Sequence, residues 1–138
     1  MKKLLVSLAV LLLCSAVLPA LAEDVAPARP GIDVELWARP TEVAPGQTVF
    51  LGGTIRNLSR SPDAVKVCLA VESRYFAQRL GCFSFRLGPG ETARFSSRYV
   101  VPRLRPGMVL VFTASATSAR GAYDKDAVRV MVVPALTR

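Results

Sequence analysis

The chain has 138 residues and no histidine. That removes every Ser-His-Asp or Cys-His catalytic arrangement and every histidine-ligated metal site. Asp33, Glu35, Glu42, Asp63, Glu72 and Glu91 are the residue types a glycoside hydrolase pairs as acid and base. They are scattered, and no spacing marks two of them as neighbours. No enzymatic role is expected and no catalytic residue is assigned. Asp124-Lys125-Asp126 offers oxygen ligands to calcium, which needs at least about six of them, and the EF-hand loop pattern is absent. The expectation there is a turn with two solvated carboxylates, with no metal and no cofactor.

Cys14 falls in an N-terminal apolar run, which leaves Cys68 and Cys82. In an oxidising compartment an even pair reads as a disulfide. Closing a loop of about 15 residues is worth roughly 3 kcal/mol in the chain-entropy model. Two buried thiols are the alternative. A redox-active pair ranks third, because such pairs sit close together as Cys-x-x-Cys.

Arg86, Arg94 and Arg98 occupy outward positions of two consecutive expected strands, and Arg103 and Arg105 follow in the next loop. If those strands form a hairpin, the arginines make a basic stripe with Tyr75 or Tyr99 nearby. Such a face suits an acidic glycopolymer or a protein partner. The plainer reading is a solvated face that discourages edge pairing. Trp37, Phe50 and Phe76 can stack on a sugar, anchor a protein contact or pack under loops. Asn57-Leu58-Ser59 fits the N-glycosylation pattern. A turn asparagine also supplies its own local hydrogen bonds.

The elements that position these residues begin with an address. Lys2 and Lys3 precede an uncharged run over 4–18, Pro19 breaks it, and Ala20-Leu21-Ala22 offers small residues to a signal peptidase. Residues 1–22 are expected to be a cleaved signal peptide, the run being short for a membrane span. Cys14 follows three leucines, which does not suit lipidation. No twin arginine, second apolar span or C-terminal anchor is seen. The mature chain is expected to be exported. Losing Lys2 and Lys3 takes the charge from +8 to +6, with 14 of the 16 remaining bases arginine. That balance attracts anionic partners, although GC-rich codons explain it as simply. Nucleic acid is not expected, because no motif for it is present and export removes it.

Residues 23–31 are a Pro/Ala-rich lead-in, expected to be a flexible linker. From Ile32 the period is two. Strands are expected over 32–39, 48–56, 64–72, 82–87, 92–101, 109–117 and 126–133, separated by Gly/Pro turns. Gly52-Gly53 suggests a bulge or a close backbone approach. Residues 73–80 read as a loop or a short helical turn. Cys68 and Cys82 both fall on outer faces. Seven short strands without a long helix argue for an all-β, antiparallel Ig-like β-sandwich over 32–134.

The order of motifs adds a resemblance. Pro45-Gly46-Gln47, a strand ending Ile55-Arg56-Asn57, Val65-Lys66-Val67, Leu87-Gly88-Pro89-Gly90-Glu91, Pro106-Gly107 and Thr113-Ala114-Ser115-Ala116 follow in sequence. This resembles the bacterial secreted repeat domain known as domain of unknown function eleven, and the CARDB-type cell-adhesion domains. The resemblance covers roughly 32–133. It implies an Ig-like sandwich on a bacterial surface protein and carries no catalytic residues. Two functions fit these residues. One is a non-enzymatic module that binds an envelope protein or anionic polymer through a sheet face or end loops. The other is a carbohydrate-binding module for envelope glycan.

Overall fold

The computed structural model describes residues 31–135. The expected signal peptide and nearly all of the lead-in lie outside them. The described chain forms eight strands: β1 (Ile32–Arg39), β2 (Glu42–Val43), β3 (Thr48–Asn57), β4 (Asp63–Glu72), β5 (Ala77–Leu87), β6 (Thr92–Val100), β7 (Val109–Ser118) and β8 (Tyr123–Val132). They make two sheets, ordered β1-β3-β6 and β2-β8-β7-β4-β5. The fold is the expected all-β sandwich, with one strand more than expected. The extra strand arises because the chain changes sheets after Arg39. β1 runs beside β3, and β2 then joins β8 in parallel.

The period of two drives the packing. Along β4 the residues alternate buried and outward, placing Val65, Val67, Leu69 and Val71 in the core. Along β7, Leu110, Phe112, Ala114 and Ala116 are fully buried. β7 lies at the centre of the larger sheet, and its start is apolar on both faces. Tyr99 does not join a basic stripe. It lies in the core, edge-on to Phe112 with ring centroids 5.6 Å apart. Burial raises its phenol above the ordinary pKa of 10. Phe76 likewise packs against the core.

Two segments differ from expectation. β5 begins at Ala77, so residues 77–80 are strand rather than loop or helical turn. Their side chains are mostly exposed, because β5 is an edge strand held by its ladder to β4. The register shifts between Leu69 and Ala70, leaving Leu80 unmatched as a bulge. β8 begins at Tyr123, so Asp124-Lys125-Asp126 is strand rather than turn. The carboxylates are occupied: Val34 N–H donates to Asp124 Oδ2 and Leu36 N–H to Asp126 Oδ2, each at 2.8 Å.

Cys68 and Cys82 stand directly opposite across β4 and β5 and are bridged, with Cα atoms 4.0 Å apart. The bridge ties the edge strand to its neighbour on the outer face. Thiol titration of the denatured, unreduced mature protein should find no free cysteine. Cys68→Ser with Cys82→Ser should lower stability by about 3 kcal/mol in the chain-entropy model, read in urea unfolding.

Candidate functional site

The five expected arginines do not come together. β5 and β6 are consecutive but lie in different sheets, joined by the turn Gly88-Pro89-Gly90-Glu91. No hairpin forms between them. Arg86 faces out from the five-stranded sheet, whereas Arg94 and Arg98 face out from the three-stranded one. These are opposite sides of the sandwich. Arg103 and Arg105 sit at one end, on the loop between β6 and β7. The single stripe is replaced by separate groups.

The richest group is the outer face of the three-stranded sheet. The registers of β1, β3 and β6 lay its residues in rows: Glu35–Thr54–Arg94, then Trp37–Gly52–Ser96, then Arg39–Phe50–Arg98. Gly52 decides what Trp37 does. A Cβ at position 52 would stand 2.1 Å from Trp37 Cζ2 and 2.6 Å from Cε2. The missing side chain therefore leaves a slot in which the indole lies across the neighbouring strand. Gly52 is buried although it faces outward. The expected close approach at Gly52-Gly53 is thus present, and the ladders on both sides run through it without a bulge.

Trp37 remains 45% exposed and Phe50 52%. The Arg39 guanidinium carbon lies 5.2 Å from the indole centroid, within cation–π range. Beside the indole runs a shallow groove of about 470 Å³, lined by Trp37, Gly53, Thr54, Arg94, Phe95 and Ser96. The face thus offers an open aromatic surface, two hydroxyl side chains and three guanidinium groups, with the carboxylate of Glu35 at its edge. Rings accept the apolar face of a sugar or a side chain, and guanidinium forks match carboxylate or phosphate. The outward alternation of β1 places Arg39 beside Trp37, a pairing the sequence contains two residues apart. Gly52-Gly53 signals a close approach locally, but that Trp37 is what approaches is a register fact.

Asn57 and Glu91 are spent on structure, and the remaining carboxylates are scattered. Asn57 is fully buried. Its Nδ2 donates to the carbonyls of Ser61, Leu87 and Gly88 at 2.8, 3.1 and 3.2 Å, and its Oδ1 accepts from Ser59. That amide has no freedom to carry a glycan in the folded chain. Asp33 and Glu35 lie along the outside of β1, Glu42 on β2, and Asp63 and Glu72 at opposite ends of β4. Glu91 accepts from Gly88 N–H within its own turn. Among the described residues, no group of three Cys, Asp or Glu side chains is placed to hold a metal. No helix among them is long and apolar enough to cross a membrane.

No family model matches the chain, and no curated protein matches it in sequence. Solved structures do share its fold. The CARDB domain of a Pyrococcus furiosus protein, solved in complex with di-metal ions, superposes with a TM-score of 0.62 at 15% identity, covering 80% of this chain and 100% of that one. A β-glucosidase of Erythrobacter marinus superposes with a TM-score of 0.59 at 14% identity, over 74% of this chain and 15% of that one. The sporulation control protein of Bacillus subtilis gives 0.57 at 14% identity, over 76% and 50%. The chain therefore spans half or less of the last two proteins. The fold is CARDB-like and Ig-like.

Proposed function

We propose that the chain is an exported, non-enzymatic binding module of the bacterial envelope. It engages an acidic polymer through the outer face of the three-stranded sheet. Residues 1–22 are its signal peptide, 23–31 its linker and 32–134 its binding domain. The observation that carries this reading is the indole of Trp37 laid across Gly52 and left open, beside Arg39, Arg94 and Arg98. The Cys68–Cys82 bridge supports export, since such bridges persist in oxidising compartments. The CARDB-like fold supports a surface role. A protein partner is the second reading, favoured by Val100, which stands 61% exposed beyond Phe50 on the same face.

The test is retention of envelope fractions on the immobilised mature chain across a salt series, followed by titration of the retained species. The expected result is an acidic polymer whose retention falls as salt rises. Trp37→Ala should weaken binding by about 2 kcal/mol, roughly thirtyfold, as for a central aromatic anchor. Gly52→Ala keeps the indole but lifts it from its slot, and should weaken binding in the same direction. Arg94→Glu with Arg98→Glu should weaken it and flatten its salt dependence. Retention of a single protein would replace the polymer reading with the protein one. Binding unmoved by all three variants would remove this face from the function.

A further inference from the structure

A second group of residues lies at one end of the sandwich, in grooves that share no lining residue with the Trp37 groove. Glu72 pairs with Val111, so the loop leaving β4 sits beside the loop entering β7. Loop 73–76 carries Arg74 and Tyr75, and loop 101–108 carries Arg103, Leu104, Arg105 and Met108. Neither loop contains an acidic residue. Two adjoining grooves run between them, of about 530 and 350 Å³, and Tyr75, Arg105 and Met108 line both. Tyr75 is 75% exposed. Val109 continues this apolar surface to Met131, its register partner on β8, and both are exposed.

The loops are tied in place. Ser73 N–H donates to the Phe76 carbonyl at 2.8 Å, and Tyr75 N–H to Ser73 Oγ at 3.2 Å. Gly107 N–H donates to the Val132 carbonyl at 2.7 Å, and Met108 N–H to the Arg105 carbonyl at 3.3 Å. These bonds fix the backbone of both loops, and the Tyr75 ring stays exposed. An exposed tyrosine ringed by arginines and continuous with exposed Val and Met has the composition of a membrane–water interface. The ring sits among headgroups, aliphatic side chains reach the acyl boundary, and guanidinium groups pair with phosphate. A soluble anion would engage the arginines and leave the exposed Tyr75, Val109 and Met131 without a role, Met108 being packed partly against the core.

We propose that this end of the sandwich docks on an anionic phospholipid surface. Tyr75 and Val109 enter the headgroup layer, and Arg74, Arg103 and Arg105 hold lipid phosphates. The docking is independent of the Trp37 face, which remains open to its own partner.

The experiment is co-sedimentation of the purified mature chain with phosphatidylcholine vesicles, with and without phosphatidylglycerol. Binding is expected only where phosphatidylglycerol is present, and should fall with salt. Arg103→Glu with Arg105→Glu should weaken it more than about tenfold, because two attractive charges near the surface become repulsive. Tyr75→Trp in a Trp37→Phe background should show a blue-shifted emission on binding, quenched by brominated lipid. Trp37→Ala should leave vesicle binding unchanged. Equal binding to neutral vesicles would overturn the proposal, as would unchanged binding of the arginine variant. Displacement from vesicles by inorganic phosphate or an acidic polysaccharide, with no emission shift at position 75, would overturn it in favour of a soluble-anion site.

Discussion

Asn57→Ala should cost about 3 kcal/mol or more, among the larger effects of a single substitution in a domain of this size. The amide is buried, and its two nitrogen-bound hydrogens serve three carbonyls on separate segments. Ser61 lies in the turn after β3, while Leu87 and Gly88 end β5 and open the turn to the other sheet. The main chain at the same residue adds to this: Asn57 N–H donates to Glu91 at 3.0 Å, and its carbonyl accepts from Gly90 at 2.8 Å. One side chain thus joins the end of one sheet to the crossing that leads from the other. Alanine would leave the buried Leu87 carbonyl without this donor and Ser59 without its acceptor. Asn57→Asp keeps the acceptor but sets carboxylate oxygen against three carbonyl oxygens, and should be at least as harmful. Ser59→Ala removes only the peripheral hydroxyl bonds, and should cost about 1 kcal/mol. In thermal unfolding, 3 kcal/mol is a fall in Tm of roughly 15 °C for about 100 ordered residues. An Asn57→Ala protein melting within a few degrees of the parent would refute this account.

The same residue marks how far a sequence speaks. Its position after a strand and before Ser59 shows a turn asparagine. Its partners at Leu87 and Gly88 are thirty positions away, and nothing local points to them. The strands that bury one face were legible because alternation is a local signal, as along β4. The start of β5 was not, because Ala77, Gln78 and Arg79 are exposed on an edge strand and bury nothing. The start of β8 was missed because Asp124 is a turn residue by composition. The arginine stripe failed for a topological reason. A Gly-Pro-Gly turn can return a strand to its neighbour or carry it to the opposite sheet, and here it does the second. Trp37 and Arg39 were readable as outward neighbours, whereas the glycine that lets the indole lie down needed the register.

Asp124→Ala with Asp126→Ala should open the seam between the sheets. β1 pairs with β3 along one edge only. On its other edge the N–H groups of Val34 and Leu36 are met by carboxylates of β8. Both contacts advance by two residues on each strand, so the side chains stand in for a ladder between strands of different sheets. Hydrogen bonds to charged groups contribute about 1.5–3 kcal/mol each, so the double variant should lose about 3 kcal/mol or more. Asparagine at both positions retains a neutral acceptor and should lose less. Amide hydrogen exchange gives the most direct reading, because protection should fall at Val34 and Leu36 more than elsewhere on β1. The uncovered edge would also present unpaired backbone groups to other chains, so the double variant should self-associate as concentration rises in size-exclusion chromatography. Unchanged protection at both amides, with unchanged stability, would mean that core packing alone holds β1 against β8.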